Sequence, residues 1–235
     1  MKPEVFPDAE ALAQYAADWL LKLAEAKQGR FVVSLSGGST PKRLYQLLAA
    51  SPRRERFPWA RTHFFWGDER FVPPDSPSSN YRMTREAMLD HVPVPKENIH
   101  PVPTTGMTHD QAAAAYEHML RDFHGSNSLA SDPLFDVMLL GLGTNGHTAS
   151  LFPDMPVLEE RTRWVGWMDD REAGVRITLT YPALESSRET AFLVAGVDKR
   201  PMLKRLVAGD PTIPAGRLKP KGALHFFVDR AADPT

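Results

Sequence analysis

Residues 135–153 read F-D-V-M-L-L-G-L-G-T-N-G-H-T-A-S-L-F-P, and this run constrains the fold more than any other. Residues 137–140 form an apolar stretch of strand length with sharply bounded ends, the mark of a buried strand. A strand of that kind belongs to a parallel sheet covered on both faces. The glycine-rich turn that follows lets backbone N–H groups approach a ligand closely, because glycine has no Cβ. Residues 148–150 are expected to begin a helix, so His147 should sit at a strand's C-terminal end beside a helix N-terminus. Ligands of open α/β sheets bind at such ends, and a histidine there suits proton transfer near neutral pH.

Gly141, Gly143 and Gly146 also match the spacing of the dinucleotide fingerprint, which needs a long crossover helix after its preceding strand. Pro153 and Pro156 would stop such a helix after about two turns. No second strand with a terminal acid follows at the required distance. The reading therefore expects no nicotinamide or flavin.

The rest of the chain repeats the strand–helix alternation. Residues 8–27 read as an amphipathic helix with Leu12, Tyr15, Ala16, Trp19, Leu20 and Leu23 on one face. Strands are expected at residues 31–35, 63–66, 175–180, 190–195 and 223–228, and helices at 41–50, 80–89, 108–124 and 199–208. Pro41 suits a first helical position, with Ser39 or Thr40 as the cap. Alternation of this kind calls for a largely parallel sheet between helices. The linkers are short, so residues 1–235 are expected to form a single domain.

Composition narrows the function. Lys+Arg 28 against Asp+Glu 29 leaves a net charge of −1, too balanced to draw the chain to nucleic acid or an anionic membrane. Arg53, Arg54 and Arg56 are interrupted by Glu55 and read as a solvated turn. Cysteine is absent, which excludes disulfides, thiolate nucleophiles and cysteine-ligated metals and fits a reducing compartment. No secretory signal or membrane-length apolar segment is visible, so a cytoplasmic location is expected. The sequence does not fix an oligomeric state.

Three strand ends carry polar, glycine-containing signatures: residues 36–41, 67–70 and 141–147. On a parallel sheet these ends would share one edge and could build one site. The segment S-G-G-S-T-P, with Gly37, Gly38, Ser39 and Thr40, aims backbone N–H groups and a helix dipole at an anion. It lacks the lysine and spacing of a nucleotide P-loop, so one phosphate monoester fits best. Asp68, Glu69 and Arg70 end the second signature, where Arg70 could clamp an anion or a developing oxyanion. Arg176, on the apolar segment V-R-I-T-L-T, needs a partner. Lys199, in A-G-V-D-K, could supply another phosphate contact; both cations fit a structural ion pair equally well.

The set S-L-S-G-G-S-T-P, W-G-D-E-R-F-V-P, S-N-Y, L-L-G-L-G-T-N-G-H-T-A-S-L-F-P, R-I-T-L-T and G-V-D-K resembles the 6-phosphogluconolactonase family over nearly the whole chain. The G-H-T-A-S-L-F-P run is the specific part, whereas S-G-G-S-T-P is shared with glucosamine-6-phosphate deaminases. The resemblance implies a three-layer α/β sandwich with a largely parallel, Rossmann-like sheet. It implies hydrolysis of 6-phospho-D-glucono-1,5-lactone to 6-phosphogluconate in the pentose phosphate pathway, with no metal or organic cofactor. By the same likeness His147 is the general base and Arg70 contacts substrate. Gly37, Gly38, Ser39 and Thr40 line the sugar-phosphate site, Asp68 belongs with the binding residues, and Arg176 and Lys199 hold the phosphate. The chain departs from the family in having Asn145 where an aspartate usually precedes Gly146-His147, so an amide rather than a carboxylate would hold the imidazole. It also has Asp154 where glycine commonly follows L-F-P, read here as a tolerated surface change.

Three other functions share some of these features. An amino-sugar-phosphate isomerase or deaminase would use Asp68 to move a proton between carbons, but Arg70 and the T-A-S-L-F-P tail speak against it. A serine hydrolase using Ser36 lacks the first glycine of the elbow, since Ser34 stands there. A sugar-phosphate sensor would bind without turnover.

Overall fold

A computed structural model describes residues 2–130 and 132–234. Strands β1 to β9 are Glu4–Phe6, Phe31–Leu35, Thr62–Trp66, Asp68–Arg70, Phe135–Leu140, Val165–Asp170, Gly174–Leu179, Ser187–Val194 and Ala223–Asp229. Helices α1 to α7 are Ala9–Ala26, Ser39–Leu48, Arg53–Arg56, Asn80–Ala87, His109–His124, Tyr181–Leu184 and Arg200–Val207. Six strands form one sheet in the order β1-β9-β8-β5-β2-β3, with every pair parallel. β2, β3 and β5 are almost wholly buried, as their apolar runs require.

Helix α1 shows how the sequence sets the layers. Asp8 caps it by accepting from the Ala11 N–H at 2.8 Å. Its buried stripe is Leu12, Ala13, Ala16, Ala17, Leu20, Leu21 and Ala24. This stripe is rotated from the expected face: Tyr15 is exposed, because the alanines rather than the aromatics allow close approach to neighbouring elements. Tyr15 and Trp19 instead make edge-on ring contacts with Phe227 of β9. Helix α5 packs on β3 and begins with a Thr108/Gln111 capping box. Its Tyr116 and Phe123 pack on Phe65.

From β2 the chain runs outward to β3, whereas from β5 it runs the opposite way through β8 to β9. The reversal falls between β2 and β5, and a crevice opens above strand ends at such a switch point. The loops after β2 and β5 therefore face one another.

The segment 175–180 does not join the parallel sheet. β7 lies in a separate three-stranded antiparallel sheet ordered β4-β7-β6, and Asp68–Arg70 is its first strand rather than a strand-end loop. Gly67 couples the two sheets: its N–H donates to Leu35 O at 2.9 Å, and its carbonyl accepts from Leu179 N at 2.8 Å. The expected helix at 148–150 is also absent. Ala149 has φ +48° and Thr148 bridges Leu151, so these residues form a tight turn. The cap of α2 is Gly38 (φ +106°) rather than Ser39 or Thr40. Pro41 takes the third helical position, where its missing N–H is harmless. Arg53–Arg56 is a short helix rather than a turn, but exposed and paired with Asp18, Glu55 and Glu25 as a solvated surface would be.

Candidate active site

One cavity of about 340 Å³ opens at the switch point and gathers most of the residues singled out above. Gly37, Gly38, Ser39 and Thr40 line it from the β2 loop, Asp68 and Arg70 from β4, His147 from the β5 loop, Arg176 from β7, and Lys199 from the turn after β8. Asn145 stands behind His147 rather than on the wall.

The β5 loop is shaped around the imidazole. Gly146 takes φ +82°, and the loop closes through Gly143 N–H to His147 O at 2.8 Å. A Cβ on Gly143 would lie 2.0 Å from His147 Nδ1, so only glycine leaves room for the ring. Asn145 Oδ1 accepts from the His147 backbone N–H at 3.1 Å and meets Nδ1 at 2.6 Å. Because the backbone group can only donate, the Asn145 atom is the oxygen, and Nδ1 must carry the proton. The lone pair is then on Nε2. Phe152 stacks on the ring at 4.0 Å. Burial, helped by the Arg176, Lys199 and Arg70 charges, pushes the imidazole down to about 4, with Asp68 pulling the other way. The ring is thus a neutral base throughout the physiological range.

The cationic wall comes from the antiparallel sheet. Arg70 and Arg176 are directly opposite one another in the β4–β7 pairing, an arrangement of like charges that is unfavourable unless an anion lies between them. Burial first, then the Arg70 charge, lowers the Arg176 guanidinium from its ordinary value. Arg70 Nε is buried without a hydrogen-bond partner, although its NH1 donates to Ser78 O at 2.8 Å. Among the described residues, Lys199 forms an ion pair only with the exposed Asp198, at 3.3 Å. At the β2 loop the first helical bond is from Lys42 N to Gly38 O, which leaves the Ser39 and Thr40 N–H groups ahead of the ladder at the cavity wall.

The two acids of D-E-R have separate work. Asp68 faces the cavity and accepts from the buried Ser150 hydroxyl at 2.6 Å. Glu69 turns away and ties down the start of α4, accepting from Ser79 Oγ at 3.0 Å and from Asn80 N and Tyr81 N at 2.8 Å each. Asn80 in turn donates to Asp68 O at 3.0 Å. Its Oδ1 would lie 2.2 Å from a Cβ on Gly37, which accounts for that glycine. Asn80, Ser150 and Phe152 received no role from the sequence, although S-N-Y and T-A-S-L-F-P contain them; the missing signal was which neighbours they would meet. Asp154 is exposed, as a surface change would be, but its φ of +64° is a left-handed backbone that glycine adopts more easily.

Among the described residues no group of three or more His, Asp or Glu side chains is arranged to hold a metal ion, and no helix is long and apolar enough to cross a membrane. The family model described as glucosamine-6-phosphate isomerases/6-phosphogluconolactonase matches residues 7–226. The chain is 44% identical to the 6-phosphogluconolactonase of Nostoc sp. over 97% of its own length and 95% of that protein's. The crystal structure of 6-phosphogluconolactonase from Thermotoga maritima superposes with a TM-score of 0.80 at 31% identity, covering 97% of this chain and 98% of that one. The corresponding structure from Trypanosoma cruzi gives 0.86 at 30% identity, covering 98% and 96%.

Proposed function

The chain belongs to the glucosamine-6-phosphate isomerase/6-phosphogluconolactonase family and is a lactone hydrolase of the pentose phosphate pathway; we propose that it works with His147 as general base. The substrate is 6-phospho-D-glucono-1,5-lactone, opened by water to 6-phospho-D-gluconate. The observation that carries the mechanism is the Asn145–His147 bond, which holds the proton on Nδ1 and presents Nε2 as the acceptor.

In this reading the phosphate docks on the Ser39 and Thr40 N–H groups, Lys199 and Arg176. Docking fixes C1 of the lactone near His147. Nε2 takes a proton from a water molecule as its oxygen attacks C1. Arg70, with its unpartnered Nε, stabilises the oxyanion of the tetrahedral intermediate. The imidazolium then returns the proton to the ring oxygen as the C1–O5 bond breaks. Asp68 accepts a sugar hydroxyl with the carboxylate capacity that Ser150 leaves free. A δ-lactone is already activated, so proton transfer and positioning suffice.

The site draws on loops between residues 36 and 199, which supports treating residues 1–235 as one catalytic domain acting on a phosphorylated sugar lactone. The absence of cysteine supports a cytoplasmic setting. The test is hydrolysis of freshly generated 6-phosphogluconolactone beside unphosphorylated gluconolactone, each corrected for spontaneous opening. A strong preference for the phosphorylated substrate is expected. Equal rates would remove the anion site from the proposal.

A further inference from the structure

Two buried tyrosines make the same pair of bonds at neighbouring strand ends. The Tyr45 hydroxyl, on α2, accepts from Ser36 N at 2.9 Å and donates back to Ser36 O at 2.8 Å. The Tyr116 hydroxyl, on α5, accepts from Trp66 N at 2.8 Å and donates to Trp66 O at 2.9 Å. The β2–β3 ladder ends with Leu35 opposite Trp66, so Ser36 lies one residue past it. There the peptide groups need partners that no strand supplies. Each phenol takes the place of a missing strand. Burial raises both phenols well above the ordinary range, so both hydroxyls keep the proton they donate.

The two clamps hold different things. Trp66 leads into Gly67 and the antiparallel sheet. Ser36 leads into the Gly37–Gly38 turn, whose course is already restricted by Asn80 against Gly37 and by the φ of +106° at Gly38. With Ser36 pinned at one end and α2 at the other, the Ser39 and Thr40 N–H groups have a fixed direction. Tyr45 sits on the same helix that those N–H groups begin, so its hydroxyl ties the start of the loop to the helix that ends it.

We propose that Tyr45 is a positioning residue: by clamping Ser36 it fixes the anion-binding loop and so sets the preference for a phosphorylated over an unphosphorylated lactone. The inference rests on the reading of residues 36–40 as the phosphate dock. Tyr45 does not line the cavity and acts only through the loop.

The experiment compares kcat/KM for 6-phosphogluconolactone and for gluconolactone in wild type, Tyr45→Phe, Tyr116→Phe and Lys199→Ala, with thermal melting of each. Tyr45→Phe should reduce the phosphorylated-to-unphosphorylated ratio about tenfold, through KM, as a loop misplaced by a fraction of an ångström would. Tyr116→Phe removes an equivalent pair of bonds, so it should melt lower by a similar margin and leave that ratio within about twofold of wild type. An unchanged ratio in Tyr45→Phe, or equal falls in both phenol variants, would overturn the inference, provided that Lys199→Ala lowers the ratio. No fall in Lys199→Ala would instead remove the phosphate dock and the inference with it. Should Tyr45→Phe not fold, amide exchange of the wild type decides. Ser36 N–H protected as strongly as residues 33–35 before any phosphate is added supports the clamp, and exchange at the rate of an open loop refutes it.

Discussion

Replacing Asn145 by aspartate should move the acid limb of the pH–rate profile upward. In the wild type, His147 is held down to about 4 by burial and by the Arg176, Lys199 and Arg70 charges. Activity is lost only as pH falls through that value, because protonation removes the base. Asn145→Asp puts a carboxylate where the amide oxygen now lies, 2.6 Å from Nδ1. Two opposite unit charges about 4 Å apart at an effective dielectric of about 20 attract by about 4 kcal/mol. At about 1.4 kcal/mol per pKa unit that bounds the rise at about three units. The Asn145 side is open to solvent, so screening brings the expected rise to about one to two units. With the variant's imidazole titrating near pH 6, about one molecule in ten has a free base at pH 5, against about nine in ten for the wild type. Hence kcat/KM for the phosphorylated lactone should be about tenfold lower at pH 5 and equal or slightly higher at pH 7.5. A pH-stat assay from pH 4.5 to 7.5, corrected for spontaneous hydrolysis, measures the acid limb of the variant and the plateau of both proteins. An acid limb that stays in place, or moves down, would refute the assignment of Asn145 Oδ1 as the hydrogen-bond partner of His147 Nδ1.

Gly143→Ala should cut turnover by at least tenfold with little change in melting temperature, because its Cβ would meet His147 Nδ1 at 2.0 Å and displace the ring from its base position; steady-state kinetics beside a melting curve check this. Asp154→Gly should stabilise the protein by about 1 kcal/mol, since Asp154 occupies a left-handed backbone at φ +64° that glycine adopts without strain; urea denaturation reads the difference. Stability should fall as pH drops from about 6.5 towards 4. His100 is pushed to about 4 by burial and then by His63, its ring neighbour, which is itself lowered. Over that window the unfolded chain binds protons that the folded chain refuses, so unfolding gains free energy as the pH falls. In His100→Phe the same pH series of melts should show a shallower slope.

The parallel sheet was legible because its strands are continuous apolar runs. Phe31–Leu35 coincides with its expected limits, and Thr62–Trp66 and Phe135–Leu140 lie where the apolar runs place them. The antiparallel sheet was not. Asp68–Arg70 is three polar residues long, and Val165–Asp170 mixes Trp167 and Met168 with Asp169 and Asp170, so neither shows a period. Without β4 and β6, β7 looked like one more parallel strand, although its Val175, Ile177 and Leu179 alternate with Arg176 and Thr178, the pattern of a strand with one polar face. Most of the residues that line the cavity were visible because glycine, histidine and cations at strand ends carry chemistry in their types. Their positioning partners were not: Tyr45 and Tyr116 bond to backbone, and Ser150 reaches Asp68 across 82 residues of sequence. The helix expected at 148–150 failed for a local reason, since the positive φ at Ala149 answers to the Thr178 and Asp68 contacts of Ser150 rather than to propensity.

The central claim is that His147 takes the proton from water while the phosphate is held elsewhere in the cavity. His147→Ala should lower kcat on 6-phosphogluconolactone by about a hundredfold or more while KM stays within about threefold of wild type. Turnover near the wild-type rate would contradict the mechanism outright, and a loss confined to KM would make His147 a binding residue instead.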